Sequence, residues 1–596
     1  MSTIDTPRGA AADPSRFWGE GRDAAALEAD PTVRILKAEH GAAILGVADF
    51  RGDLSVTVRP DDLLLVAQTL KIHPELQYDL LVDVAGVDYQ LMNRTPRFHA
   101  VYHFYSTPKK HRVRVHVPLD DAKPAVDSLT PLYKSANWAE REAYDMFGFD
   151  FINHPDQRRI LTHEEFVGHP LRKDYPPDRR HMLSRSYSAY PGLEAEHEGR
   201  HTLVGEDGVE RVYVNLGPSH PATHGTLRIQ ALLDGEIIVD SRTEIGYLHR
   251  CMEKMSETHT YTQVFPFTDR LNYVSAFSNN VGYAMAVEKL MQVDVPPRAV
   301  WIRTLLLEFN RIMDHLVCIG ANLVDLGALT NFWYFFSPRE SIYELLESAC
   351  GARLTVSYGR VGGVAQDIPE GFEEHARRVA NLIPEFLDYV DKLATKNVIF
   401  QQRTRGTGVV TRDNAISWGW TGPAGRASGL DYDVRRDAPY GGYDALEFAV
   451  PVRQDGDSFA RYIIRTVEMR ESLRIIHQML DRGAPAGPHI TPDHRVALPE
   501  KNRVYGNIEA LMNHFKLIMH GFSPPVGEVY SYTESPNGEL GFYLVSDGSG
   551  KPYRLKVRAP SFYTFAANDE ILRGQMVSDF VAILGTLNII AGELDR

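Results

Sequence analysis

A long polar stretch in the first half of the chain divides it into two units, and this division constrains the fold more than any other feature. Residues 178–210 contain no apolar run long enough to make a core element, so they predict a linker. The chain has 596 residues, which is more than one compact domain usually holds. We therefore predict a mobile tail at 1–30, a small domain at 31–149, an extended docking arm at 150–177 and a large domain at 211–596.

The first domain has the pattern of a small α+β fold. A helical pattern covers residues 63–70, and runs rich in Val, Tyr and Phe at 80–87, 98–105 and 113–117 predict strands. Two helical stretches are expected to follow, the second over 138–147. Polar and apolar residues alternate strictly in the third strand, as they do in a strand with one face in water.

The second domain is predicted to be mainly helical with small β appendages, so the whole chain falls in the α+β class. Two strand-like runs flank a loop at 217–225. From Ile302 onward, apolar residues recur on one face of a helix of about 25 residues, with Asp325 at its end. Further helices are expected near 268–293, 338–349, 371–395, 458–481 and 500–519, and short strands at 541–545 and 553–557.

Composition excludes several classes of function. The net charge of −14 argues against a nucleic-acid partner, because a phosphate backbone needs a basic face. The three cysteines, Cys251, Cys318 and Cys350, supply neither a disulfide framework nor a CxxC motif. The most apolar run near the end, 577–592, is short and polar for a membrane span, and the first residues do not resemble a signal peptide. We expect a water-soluble chain on the cytoplasmic side, without a nucleotide-binding motif.

The string His220-Pro-Ala-Thr-His224 is the first candidate for chemistry. Two histidines four apart bind a metal from one face of a helix, but Pro221, Gly217 and Gly225 disfavour a helix here. On a hairpin loop the same pair would project two imidazoles into a cavity. The alternative is that backbone groups of a tight loop satisfy both rings.

Two further groups of polar residues lie in apolar surroundings. Asp325 stands between Val324 and Leu326, where a carboxylate needs a cation or a hydrogen-bond donor such as histidine. The alternative is a carboxylate in water at a helix end. A second group, Arg250, Arg270 and Tyr273, would stabilise added negative charge near an iron–sulfur cluster or an anionic intermediate, or would form structural salt bridges and a core aromatic.

Long ordered strings identify the family that the chain resembles. The first domain and the arm resemble the C-type subunit of respiratory complex I, the NADH:quinone oxidoreductase, and the second domain resembles its D-type subunit. The chain as a whole is therefore similar to the fused C/D subunit of some bacteria, from about residue 35 onward. The matching strings are Asn137-Trp-Ala-Glu-Arg-Glu-Ala-Tyr-Asp-Met-Phe-Gly148, Gly168-His-Pro-Leu-Arg-Lys-Asp-Tyr-Pro176, Asn215-Leu-Gly-Pro-Ser-His-Pro-Ala-Thr-His-Gly225, Ile245-Gly-Tyr-Leu-His-Arg250, Asp269-Arg-Leu-Asn-Tyr-Val-Ser275 and Asp325-Leu-Gly-Ala-Leu-Thr330.

The D-type subunit is itself similar to the large subunit of NiFe hydrogenases, so the resemblance implies a hydrogenase-like fold for the second domain. Those enzymes hold nickel with four thiolates, and three cysteines cannot supply four. Met252 and Met255 stand where the first cysteine pair would be. Hydrogen activation by nickel is therefore excluded, and we expect the chain to bind no metal and no cofactor of its own.

The resemblance implies that a quinone headgroup, of ubiquinone or menaquinone, occupies the former metal cavity beside the terminal 4Fe–4S cluster of a neighbouring subunit. It implies that Tyr273 and His224 hydrogen-bond the two quinone carbonyls and donate protons, while Asp325 pairs with His224. His220 would shape the loop, and Arg250 would face the cluster and raise its potential. Quinone reduction would then be coupled to proton translocation elsewhere in the complex.

The implied partners are four other kinds of complex I subunit: the B-type Fe–S subunit, the ferredoxin-like I-type subunit, the large G-type Fe–S subunit and the H-type membrane subunit. They would place the chain peripherally on the cytoplasmic face of the bacterial inner membrane. The charged helix at 138–147 is expected to make contacts between subunits. The alternative function is a docking scaffold in a related membrane-bound assembly that uses another electron donor, such as ferredoxin.

Two positions depart from the family pattern. Relatives often carry a histidine that links cluster reduction to protonation at the position of Thr355. We therefore expect a cluster potential that depends less on pH, together with a low-potential quinone such as menaquinone. Cys251 stands where many relatives have glycine, which is expected to alter packing beside Arg250.

Overall fold

The computed structural model describes residues 24–176, 178–179, 181, 202–204 and 208–596. The predicted tail up to residue 23 and most of the predicted linker at 178–210 lie outside this described part. The end of the predicted tail, Ala24–Ala29, forms a helix. Within the described residues, no helix combines the length and the apolar character that a bilayer crossing requires.

The first domain is built on a five-stranded sheet. Its strands are β1 Ile44–Phe50, β2 Asp53–Val58, β3 Leu80–Asp88, β4 Phe98–Tyr105 and β5 Arg112–Leu119, and its helices are α1 Ala24–Ala29, α2 Pro31–His40, α3 Leu63–Ile72 and α4 Ala136–Phe147. The order in the sheet is β1-β2-β5-β4-β3, antiparallel except between β2 and β5. The structure confirms the three predicted strands and the predicted helices at 63–70 and 138–147. Strands β1 and β2 were not predicted.

The arm folds back onto the first domain. The first of the two helical stretches predicted to follow strand β5 is wrong, because Ala125–Asp127 (β6) instead pairs in parallel with Asp150–Ile152 (β7) at the start of the arm. Helix α4 ends where Gly148 takes a left-handed conformation, with φ of 74°. The buried carboxylate of Asp145 then accepts from three successive backbone N–H groups at 160–162, which fixes the arm against α4.

The long helix Pro297–Asp325 (α8) forms the centre of the second domain and packs against three other long helices. Proline at its first position and an apolar stripe along its length explain this helix. The helices of the domain are α5 Met252–Ser256, α6 Phe265–Thr268, α7 Ala276–Met291, α8 Pro297–Asp325, α9 Leu329–Cys350, α10 Phe372–Val390, α11 Val398–Thr404, α12 Arg412–Ser417, α13 Gly422–Ala427, α14 Val434–Asp437, α15 Ser458–Arg482, α16 Lys501–Gly506, α17 Ile508–Met519, α18 Pro560–Ala566, α19 Asn568–Leu572, α20 Val577–Leu587 and α21 Ala591–Asp595.

Three predicted helices have different bounds for identifiable reasons. The helix expected at 268–293 begins only at Ala276, because the preceding residues form separate short turns. The helix expected at 338–349 begins at Leu329 and runs through Pro338, which the sequence suggested as its start. The helix expected at 500–519 is two helices, since the Asn507 side chain accepts from Ala510 N and caps the second.

The β appendages of the second domain form two main sheets. The strands are β8 Thr202–Val204, β9 Glu210–Leu216, β10 Arg228–Asp234, β11 Ile237–Glu244, β12 Gly359–Arg360, β13 Gly363–Val364, β14 Gly527–Ser535, β15 Gly538–Ser546 and β16 Arg554–Arg558. The strands predicted on either side of the 217–225 loop are confirmed as antiparallel neighbours, with Leu216 opposite Ile229. Strands β15 and β16 match the two predicted returns, and β14 was not predicted.

The polar face of strand β5 is buried at the junction of the two domains, so the prediction that it faces water is wrong. Arg114 and His116 of this strand contact the Glu528 carboxylate of β14, and Arg112 contacts Glu539 of β15. The charged and polar groups that face each other here thereby find partners, as buried polar groups must. The two domains therefore share a buried interface that the sequence did not indicate.

One charged residue of helix α4 also lies at this junction. Glu142 pairs with Lys556 of β16 and with Arg596, both at 2.5 Å. Glu142 was expected to contact another subunit, but it contacts the other domain of the same chain.

Candidate functional site

The loop at 217–225 is held by its own backbone geometry. Gly217 has a φ of 92°, and a Cβ there would lie 1.9 Å from the carbonyl oxygen of Leu227, so only glycine fits. The hydroxyl of Thr223 donates to the carbonyls of His220 and Gly225, at 2.7 and 2.9 Å. The loop is thus a defined turn between β9 and β10 rather than the helix that a two-histidine metal motif requires.

His224 and Asp325 meet in the structure, although they are a hundred positions apart in the sequence. Nε2 of His224 is hydrogen-bonded to Oδ2 of Asp325, the last residue of α8. The His224 side chain is 25% exposed and that of Asp325 is 16% exposed. The pair is therefore enclosed but reachable, and a carboxylate on one ring nitrogen orients the imidazole and leaves Nδ1 for another ligand.

The backbone at His224 is in a sparsely populated conformation. Its φ is 52°, in the left-handed region that residues other than glycine seldom adopt. Such a conformation costs of the order of 1–3 kcal/mol and persists only where the surroundings enforce it. The contacts of Thr223 and the partner carboxylate of Asp325 supply that enforcement.

Tyr273 lies at the start of a short turn, Tyr273–Ser275, that precedes α7. The Asn272 side chain caps this turn by accepting from the backbone N–H groups of Val274 and Ser275. The tyrosine side chain is 45% exposed, so it does not have the core position that the alternative interpretation gave it. Partial burial, together with the nearby Asp314 carboxylate, raises the pKa of the phenol above its usual value. The hydroxyl therefore keeps its proton at neutral pH and is available as a hydrogen-bond donor.

Arg250 lies at the surface rather than among apolar residues, and its guanidinium donates to the carbonyl of Arg270 at 3.0 Å. The segment leading to it is fixed by Asp595, whose carboxylate accepts from the backbone N–H groups of Gly246 and Leu248. The sequence strings gave no indication of this role for Asp595.

Cys251, the residue that follows this arginine, contacts His249. Its Sγ lies 3.5 Å from Nε2 of that ring. Burial opposes ionisation of the thiol, but the hydrogen bond and charge of His249 prevail and lower its pKa. The cysteine therefore interacts with this histidine, and its expected effect on packing beside Arg250 stays a prediction.

The remaining candidates lie on different surfaces. His220 is exposed at the tip of the 217–225 loop, and Thr355 is half-buried in the segment that follows α9. Of the predicted site residues, the structure thus brings His224 and Asp325 into direct contact. Among the described residues, no cluster of three or more His, Cys, Asp or Glu side chains has the arrangement of a metal site.

Two cavities occur away from this group. One of about 620 Å³ lies between the loop at 488–499 and α17, and one of about 330 Å³ lies at the domain junction beside Arg112 and Arg114. Neither cavity is lined by the candidate residues. The assignment of the candidate site therefore depends on the chemistry and contacts of its side chains.

Comparison with known proteins connects these residues to a family. The family described as respiratory-chain NADH dehydrogenase, 30 Kd subunit, matches residues 56–181, and the 49 Kd subunit family matches residues 325–596. The C/D-type NADH-quinone oxidoreductase subunit of Bdellovibrio bacteriovorus is 49% identical over 522 residues, covering 87% of this chain and 91% of the relative. That of Nitrosospira multiformis is 40% identical and covers 89% of each chain. The D-type subunit of Geotalea uraniireducens is 50% identical over 387 residues, 65% of this chain and 99% of the relative.

Proposed function

The chain belongs to the NADH-quinone oxidoreductase C/D family, and we propose that within the complex it forms the site where the quinone headgroup is reduced. The observation that carries this proposal is the contact between His224 and Asp325, beside a loop held in a strained conformation. It supplies an oriented proton donor at a partly exposed position. The names of the relatives favour NADH over ferredoxin as the electron source. They therefore also favour a quinone-reducing subunit over the alternative function of a docking scaffold.

Quinone reduction requires two electrons and two protons. The electrons would come from the 4Fe–4S cluster of a neighbouring subunit. His224 and Tyr273 are the two donors: a protonated imidazole and a phenol both give up a proton to a strongly basic reduced headgroup. The hydroxyl of the half-exposed Tyr273 and Nδ1 of His224 would each form a hydrogen bond with one of the two carbonyl oxygens of the quinone.

Asp325 connects the chemistry to proton translocation. While His224 is protonated, the carboxylate has a cationic partner, and after proton donation it has a neutral one. An anion that loses its counter-charge at a helix end attracts a proton or a cation, and this local change is the signal that we propose is passed to the membrane part of the complex. His220 shapes the loop in this scheme, and Arg250 provides positive charge towards the cluster.

The proposed partners are the B-type Fe–S subunit, which carries the cluster, the ferredoxin-like I-type subunit, the large G-type Fe–S subunit and the H-type membrane subunit. The site lies on the cytoplasmic face of the inner membrane, and the substrate is ubiquinone or menaquinone.

The test is the variant Tyr273→Phe, assayed in membranes. It removes one hydroxyl from a half-exposed side chain, so the complex is expected to assemble while quinone reduction falls by about 100-fold or its apparent KM rises steeply. The measurement compares NADH:quinone activity with NADH:ferricyanide activity, which bypasses the quinone site.

Tyr505→Phe is the matched control, since Tyr505 is an exposed tyrosine on α16, in a different part of the domain. If both activities of the Tyr273 variant equal those of the control, the proposed site is wrong.

A second prediction concerns Thr355. The variant Thr355→His places a titratable ring where relatives often have one, so the cluster potential is expected to become pH-dependent, approaching about 59 mV per pH unit for one proton per electron. An EPR redox titration at two pH values measures the slope in variant and wild type. A full slope already present in the wild type would contradict the prediction.

A further inference from the structure

A second carboxylate of α8 lies behind Tyr273. Asp314 is 1% exposed, and both of its oxygens accept hydrogen bonds from neutral amides. The side-chain NH2 of Asn272 donates to one oxygen and that of Asn588 to the other, each at 2.8 Å. The two amide donors satisfy both oxygens of the buried carboxylate by hydrogen bonds.

One of these amides belongs to the turn that presents Tyr273. The Oδ1 atom of Asn272 caps the turn, and its Nδ2 atom donates to Asp314. The carbonyl of Asn272 in turn accepts from the side chain of Asn279 on α7. The side chain of Asn272 thus connects the tyrosine turn to Asp314 of α8 and fixes the orientation of the turn.

The same helix also carries the acid that holds His224. Asp314 and Asp325 are eleven residues apart, which is close to three full turns, so both carboxylates lie on one face of α8 about 16 Å apart along its axis. Asp325 contacts His224 directly, whereas Asp314 contacts the residue before Tyr273. Each of the two proposed donors therefore has its own acid on this helix.

Other ionisable groups around Asp314 are engaged elsewhere or have pKa values that burial raises. His315 is hydrogen-bonded to Glu468 at 2.9 Å, and the guanidinium of Arg465 donates to the carbonyl of Thr586. Burial raises the pKa of the Cys318 thiol to about 11 and that of Glu593 to about 7, and the charge of Asp314 adds to both shifts. Tyr343, an ionisable neighbour of Tyr273, is a phenol whose pKa burial also raises.

We propose that Asp314 is a positioning residue for Tyr273, which fixes the tyrosine turn through Asn272 and places its carboxylate behind the phenol. The inference rests on the proposed quinone site and deepens it. The charge keeps the phenol protonated until the reduced headgroup demands its proton, and it favours rapid return of a proton to the tyrosinate afterwards.

The test uses the whole complex with 3,5-difluorotyrosine at position 273, whose phenol is more acidic than that of tyrosine and titrates in an accessible range. The variant Asp314→Asn removes the charge with little change of shape. We expect the alkaline limb of the pH profile for quinone reduction to move down by about one pH unit, because the phenolate no longer faces a negative charge. Activity is expressed relative to ferricyanide reduction in the same membranes.

Asp569→Asn is the matched control. Asp569 is a carboxylate held by hydroxyl and backbone donors of β11, away from the tyrosine turn. An unmoved limb in Asp314→Asn, or an equal shift in the control, overturns the inference.

A second variant tests the positioning role even if Asp314→Asn fails to assemble. Asn272→Ser retains an oxygen that can cap the turn but removes the amide that reaches Asp314. We expect the apparent KM for quinone to rise at least about fivefold with ferricyanide reduction retained. An unchanged KM overturns the positioning role. If Tyr273→Phe itself keeps full quinone activity, the proposed function fails together with this inference, whereas loss of activity there with no effect of Asn272→Ser refutes the inference alone.

Discussion

Replacing Asp325 by asparagine is expected to lower NADH:quinone activity by about 100-fold and to leave NADH:ferricyanide activity within about twofold. The carboxylate accepts a hydrogen bond from Nε2 of His224, and an amide at the same place can present its NH2 group instead. The imidazole then loses its oriented tautomer and the anion that stabilises its protonated form. The assay is the ratio of the two activities in membranes with equal complex content.

A double-mutant cycle shows whether the two residues act as a unit. If His224 works through Asp325, the variant His224→Gln combined with Asp325→Asn is expected to lose no more activity than the worse single variant. Asp367→Asn serves as control, because that carboxylate forms an exposed pair with Arg298 elsewhere in the same domain. Additive losses in the double variant would contradict a shared role, and normal activity of Asp325→Asn would remove the pair from the mechanism.

Local patterns predicted the secondary structure well where one periodicity dominated. The apolar stripe of α8 and the Val-, Tyr- and Phe-rich strands β3 and β4 appear within a few residues of their expected bounds. Errors arose where a single residue has two meanings. Pro338 was interpreted as a helix start but lies inside α9, and Asn507 was included in a helix although its side chain caps a new one.

The site was accessible to sequence reasoning only in part. The strings around His224, Tyr273 and Asp325 resemble a family, and that resemblance implied the pair that the structure brings together. Asp314 belongs to no such string, and its relation to Tyr273 depends on the side chain of Asn272 at a tertiary contact. Periodicity places a residue on a face of a helix but does not say which neighbour that face meets.

The domain junction escaped the sequence for the same reason. Arg112, Arg114 and His116 alternate with apolar residues, and alternation of this kind normally indicates a strand with a solvated face. Here the polar face meets Glu528 and Glu539 of the second domain. A polar strand face that is buried against complementary charges has the same local sequence pattern as a polar face in water. The two cases can be distinguished only when the partner strand is known.

Glu528 is the centre of that junction, and its removal is expected to weaken the association of the two domains strongly. Its carboxylate, 1% exposed, lies 2.6 Å from Nε2 of His116 and 3.4 Å from Nε of Arg114, and the hydroxyls of Tyr89 and Tyr543 donate to it. Glu528→Ala leaves the guanidinium of Arg114 buried without this partner. Breaking a buried pair from one side typically costs about 3–5 kcal/mol, which is a factor of about 100 to 5000 in the equilibrium constant.

The pH dependence of the junction has a definite sign. Burial alone would raise the pKa of Glu528, but His116 and Arg114 prevail and hold it below the ordinary value of about 4.3. The folded state therefore binds fewer protons than the separated state as the pH falls. The stabilisation by Glu528 is complete above about pH 4.3 and is lost progressively below it, a dependence that Glu528→Gln is expected to reduce.

A cleavable version of the chain makes this measurable. The Geotalea relative shows that the second domain occurs as a separate chain, since it covers 65% of this chain and 99% of its own. With a protease site inserted in the predicted linker at 178–210, the two halves of the wild type are expected to remain associated after cleavage and dilution. Those of Glu528→Ala are expected to separate, and co-purification on a tag at one half measures the difference.

The control for this experiment is Glu340→Ala. Glu340 forms an exposed pair with Arg353 at 2.5 Å, and such pairs contribute only about 0–1 kcal/mol. The halves of this variant are therefore expected to stay together as in the wild type. If Glu528→Ala behaves in the same way at every dilution, apolar packing and the other ion pairs of the junction, such as that of Glu142 with Lys556, hold the domains together without Glu528. The buried charges would then specify which strands meet, because a carboxylate enclosed by one guanidinium, one imidazole and two phenols is satisfied in only one register.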